Sequence, residues 1–117
     1  MFKKKGIVFD NQNYFSKIVK HKFKEYILFD TYNNFKNFDK KNNNYSILIF
    51  VIYSEDDVYN LLKVNNLEIP MIICAFNKER LMKLRRLENI MLLDASKLLP
   101  EIIVQLQSYF ARLNILP

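Results

Sequence analysis

Seven apolar residues, Ile47-Leu-Ile-Phe-Val-Ile-Tyr53, follow one another without a polar interruption. The run is far short of the ~20 residues that a membrane-crossing helix needs. It also lacks the apolar-polar alternation of a sheet with one wet face. A β-branched run of this length reads as a strand buried on both sides, as in a parallel sheet covered by helices above and below. That single segment already demands a chain able to supply two covering layers. With 117 residues, half of them apolar, it is long enough to do so as one domain.

The flanking sequence supplies those layers in strict alternation. Lys5 to Phe9 reads as a short strand, and Phe15, Ile18, Val19 and Phe23 then recur at helical spacing over residues 13–24. Tyr26 to Thr31 is a second strand. Phe35 and Phe38 are spaced to face inward from one short helix, which the run Asn42-Asn43-Asn44 breaks. Ile47 to Tyr53 is the third strand, expected at the sheet centre. Val58, Leu61 and Leu62 lie on a helix ending near Asn65, Pro70 to Ala75 form a fourth strand, and Leu81, Leu84 and Leu87 mark a fourth helix. Ile90 to Leu93 is a fifth strand. Leu99, Ile102, Ile103, Leu106, Phe110 and Leu113 stripe a last helix, with Pro100 in its first turn, where a missing N–H costs nothing. Five strands and five helices in this order predict an α/β fold, a three-layer doubly wound sheet of parallel strands spanning residues 1–117.

Composition excludes several chemistries. Cys74 is the one cysteine, so no intramolecular disulfide and no multi-cysteine zinc site can form, and a reducing, cytoplasmic setting is expected. Gly6 is the one glycine, which excludes a phosphate-cradling glycine loop. His21 is the one histidine, set among Lys20, Lys22 and Lys24 with no partner for a triad or a metal site. The basic start Met-Phe-Lys-Lys-Lys meets Asp10 after a hydrophobic run too short for a signal peptide. The net charge of +6 is lopsided: residues 1–46 hold 10 Lys/Arg against 4 Asp/Glu, and the remainder holds 8 of each. Such an excess suits nucleic acid, although solvated lysines in an Asn- and Lys-rich chain account for it as well.

Three carboxylates, Glu55-Asp-Asp57, follow the long apolar run. Ser54 with Asp57 three residues on has capping-box spacing, and Tyr53 with Val58 has that of a hydrophobic staple, so the cluster reads as a helix start. A weak Mg²⁺ site shared with Asp10 is the competing reading, because both lie at the carboxyl ends of strands.

Taken over its whole length, the chain resembles the receiver domain of bacterial response regulators, with its flavodoxin-like strand order. The resemblance implies two acids closing the first strand to hold Mg²⁺; Ile-Val-Phe-Asp10-Asn11 matches the first and replaces the second, leaving a remnant acidic pocket. The phospho-accepting Asp falls on Val51, the Ser/Thr of the fourth strand on Ala75, and the Lys of the fifth on Asp94. An aspartyl phosphate needs the nucleophile, the cation and both supporting groups together. The implied function is therefore a degenerate receiver in bacterial signalling: no enzyme, no cofactor, acting as a protein-interaction module or homodimer. The family acts through its last two helices, which directs attention to Met82, Arg85, Arg86, Val104 and Tyr109. Nucleic-acid binding through the basic first half is the alternative, and no membrane association is expected.

Overall fold

The computed structural model describes residues 3–33, 45–64, 69–84 and 90–116. The long apolar run is strand β3, Ile47–Ile52, and every one of its six residues is buried. Ile47, Ile49 and Val51 face one core layer, whereas Leu48, Phe50 and Ile52 face the other. Each such side chain contributes about 1.5–3 kcal/mol through burial, so this strand anchors both layers at once.

Strand β1, Lys4–Phe9, and strand β4, Met71–Ala75, flank β3. Strand β2, Ile27–Tyr32, and strand β5, Ile90–Asp94, form the edges. All pairings are parallel and the order is β2-β1-β3-β4-β5. Helix α1, Phe15–Lys22, and helix α4, Leu99–Arg112, cover one face through Phe15, Val19, Ile102, Leu106 and Phe110. Helix α2, Glu55–Val64, and helix α3, Lys78–Leu84, cover the other through Leu61, Leu81 and Leu84. This is the expected three-layer doubly wound sheet. It has four helices among the described residues; the further helix expected around Phe35 and Phe38 lies outside them.

Several boundaries differ from those periodicity predicts, each for a local reason. Helix α1 begins at Phe15 instead of residue 13, because Asn13 takes φ 56° in a turn, a left-handed backbone that Asn tolerates and helices exclude. Strand β3 ends at Ile52, since the Tyr53 and Ser54 N–H groups turn to the Asp57 carboxylate. Leu99, expected in the apolar stripe, is 41% exposed, because as the first residue of α4 it lies before the stripe meets the sheet at Ile102.

Candidate functional site

In this strand order the chain reverses direction of winding between β1 and β3, and the crevice at their carboxyl ends is where an open α/β sheet accepts ligands. A small, shallow cleft opens there, bordered by Asp10, Asn11, Phe50, Val51, Asp57 and Asn60 among others. Phe9 pairs with Phe50, and the residues that follow them, Asp10 and Val51, both border the cleft.

Asp10 is 1% exposed, and a buried carboxylate must find donors or be neutralised. It finds them in the turn it begins. Oδ1 accepts the Gln12 N–H at 3.1 Å and Oδ2 accepts the Ser16 N–H at 2.8 Å. Tyr14, at the N-cap of α1, makes no side-chain cap bond, so Asp10 serves the open helix end from four residues upstream.

Asp57 is equally committed. Its Oδ2 accepts the N–H of Tyr53 at 2.7 Å and of Ser54 at 3.1 Å, the acidic half of the expected capping box. Its Oδ1 accepts from Asn11 Nδ2 at 2.7 Å. Asn11 therefore ties the β1–α1 turn to the start of α2. An aspartate there would set a second carboxylate against Asp57, so the amide is what this geometry requires. The staple partners part company: Tyr53 packs toward α1 and α4, Val58 into the opposite layer.

Sequence reasoning gave Tyr53 only a staple role and did not anticipate its contacts. Its ring stacks on Phe76 with centroids 5.2 Å apart, and its hydroxyl is buried without a hydrogen-bond partner among the described residues. Burial first, then the Asp10 carboxylate, raises the pKa of that hydroxyl. Its carbonyl accepts from Arg80 Nη1 at 3.2 Å, and Arg80 Nη2 lies 3.5 Å from Glu55. Glu55 is largely exposed, so the ion pair is worth little and the Arg80–Tyr53 bond does the fastening. Nothing in the sequence announces a contact between residues 27 positions apart.

The other family-aligned positions separate. Val51, 1% exposed, faces the α1/α4 layer beside Cys74, its partner on β4. Ala75 pairs with Ile52 and Asp94 and turns its methyl to the α2/α3 layer. Asp94 accepts from Ser96 Oγ at 2.5 Å and Ser96 N–H at 3.0 Å; these bonds hold its pKa below the ordinary carboxylate value. The Cys74 thiol is pushed up by burial and by Asp10, which makes it a small apolar core group. No group of three or more His, Cys, Asp and Glu side chains suited to a metal ion occurs among the described residues.

Of the proposed partner contacts, Met82 is 55% and Val104 64% exposed. Tyr109 is half-buried, and its hydroxyl donates to the Leu92 carbonyl of edge strand β5 at 2.6 Å while accepting from Gln105 at 2.8 Å. Helices α3 and α4, which carry Met82 and Val104, pack on opposite faces of the sheet. Arg85 and Arg86 lie outside the described residues.

Comparison with solved structures agrees with this architecture. The receiver domain of the Francisella response regulator 1452 matches with a TM-score of 0.63 and 19% identity, covering 93% of this chain and 98% of its own. A response regulator receiver protein from Burkholderia phymatum matches with a TM-score of 0.69 and 12% identity, covering 97% and 98% respectively. The chain thus has a receiver-like fold. No protein-family model matches the sequence, and no curated protein does. Among the described residues, no helix is long and apolar enough to cross a membrane.

Proposed function

We propose that this protein is a receiver-like module of bacterial cytoplasmic signalling that carries out no phosphoryl chemistry and works by binding another protein or a second copy of itself. The observation that supports this reading is the buried Val51, which borders the switch-point cleft together with Asp10 and has no carboxylate to accept a phosphoryl group. The surroundings support it. Asp10 and Asp57 spend their oxygens on backbone N–H groups and Asn11, and Ala75 and Asp94 provide neither a hydroxyl nor an ammonium.

The binding surface we propose is the β5 edge with α3 and α4, where Met82 and Val104 are exposed and Tyr109 occupies the Leu92 carbonyl. Arg85 and Arg86 follow Leu84 in the chain and belong to the same proposed set. Methionine, arginine and aromatic side chains are the types that anchor interfaces.

Incubation with acetyl phosphate and Mg²⁺, followed by intact-mass measurement, should leave the chain unmodified. A stable aspartyl phosphate would overturn the reading. Sedimentation of the native chain and of Val104→Glu tests the surface: a dimer that the substitution dissociates supports self-association there, and a dimer indifferent to it places the contact elsewhere.

A further inference from the structure

The amino end of the sheet carries a feature that this function does not use. Lys3 leads into strand β1, which starts there with Lys4 and Lys5, and α1 ends there with Lys20, His21 and Lys22, followed by Lys24. All seven side chains are exposed. The two groups are joined: Lys3 Nζ donates to the Lys24 carbonyl at 2.7 Å, and Lys4 pairs with Ile27 just beyond Tyr26. Within residues 3–5 and 20–26 the only acid is Glu25. Tyr26, 43% exposed, immediately precedes β2 and follows Lys24 by two residues.

Cations in the last turn of α1 offset the helix dipole, which gives Lys20, His21 and Lys22 an ordinary reason to be there. That reason does not extend to Lys3 and Lys4 at the start of β1 or to Lys24 beyond the helix. Folding has gathered onto one rim lysines from two stretches about twenty residues apart, and an exposed tyrosine follows Lys24 by two residues. A membrane-surface helix would present apolar side chains outward, whereas α1 turns Phe15 and Val19 into the core and lysines to solvent. Phosphates met by lysines, with a base stacked on an aromatic ring, is the chemistry of single-stranded nucleic acid recognition.

We infer that the amino-end rim formed by Lys3, Lys4, Lys20, Lys22, Lys24 and Tyr26 binds single-stranded nucleic acid, the lysines contacting phosphates and Tyr26 stacking on a base. The rim lies roughly 20 Å, the length of β1, from the switch-point cleft, so the two ends of the sheet can act independently.

The test is fluorescence anisotropy with labelled oligo-dT and oligo-U of about 20 nucleotides. Three to five phosphate contacts predict an affinity that falls about 20- to 130-fold between about 50 and 200 mM salt. The triple variant Lys3→Gln/Lys22→Gln/Lys24→Gln should lose most binding, while Lys63→Gln/Lys78→Gln/Lys97→Gln, with the same change in net charge, should keep it. Tyr26→Ala should cost about tenfold and Tyr26→Phe almost nothing. On the unaltered protein, photocrosslinking of a thiouridine oligonucleotide should map to Tyr26, a readout that needs no variant to fold. Absence of binding at about 50 mM salt would refute the inference. So would equal losses in the two triple variants, or tighter binding to duplex or to anionic vesicles with Tyr26→Ala unchanged.

Discussion

Gly6 lies in β1 between β2 and β3, and replacing it with alanine sets two effects of opposite sign against each other. Its backbone does not occupy the left-handed region, so alanine can adopt the same conformation, and the stiffer unfolded chain then favours Gly6→Ala by about 0.4–1 kcal/mol. The added methyl, however, would lie 2.5 and 2.7 Å from Phe29 Cε1 and Cδ1 and 2.9 Å from Ile47 Cγ2, well inside the ~3.5 Å at which carbon atoms attract. Phe29 is 2% exposed and cannot swing away freely. Its ring centroid is 6.3 Å from that of Phe110, and Phe110 in turn meets Phe23 edge-on at 4.9 Å. Overpacking of this kind costs about 1–3 kcal/mol, so the clash should win and the variant should lose about 1–2 kcal/mol net. For a chain of this size that is a fall in Tm of about 4–8 °C. Urea and thermal melts followed by circular dichroism measure it directly. In Gly6→Ala/Phe29→Leu the smaller side chain should absorb the methyl, giving a favourable coupling of about 0.5 kcal/mol or more in a double-mutant cycle. A Gly6→Ala protein as stable as its parent, or one whose loss simply adds to that of Phe29→Leu, would refute the packing argument.

Three further outcomes follow from the same geometry. Asn11→Asp exchanges the 2.7 Å bond to Asp57 for carboxylate repulsion and should cost about 1–3 kcal/mol in a urea melt; an unchanged midpoint would show that Asn11 is not held by Asp57. Val51→Asp should destabilise by more than about 3 kcal/mol, because it buries a charge without donors, and should not gain a phosphoryl adduct from acetyl phosphate. The hydroxyls of Tyr45 and Tyr53 have pKa values raised above the ordinary 10.0, by burial first and then by Asp30 and Asp10 respectively. Folding therefore holds protons that the unfolded chain releases, and the stability this contributes is complete below about pH 10 and lost as pH rises beyond it. In a tyrosinate absorbance titration of the native protein, Tyr45→Phe and Tyr53→Phe should each remove a group that ionises above the ordinary range; a high-pH limb unchanged by both substitutions would contradict this.

Where local pattern decided the structure, it could be read from the residues. Ile47–Ile52 has no polar face, and this alone placed it at the centre of a sheet covered on both sides. The alternating periods around it carried the element order, and Ser54 with Asp57 announced a helix start. These are properties of neighbours along the chain, expressed in any context that lets the apolar faces be buried. The candidate site was legible only in part. The family alignment singled out Asp10 and Val51, and both border the switch-point cleft.

What could not be read depends on which turns meet at the carboxyl edge. That Asn11 must be an amide follows from Asp57, 46 residues away; Tyr53 becomes buried through Phe76 and held through Arg80. The lysines of β1 and α1 share a rim because a parallel crossover returns the end of α1 to the start of β1. Hydrogen bonds and charges act over a few ångströms of space, whatever the separation along the chain. Their partners are set once the sheet order has brought the loops together.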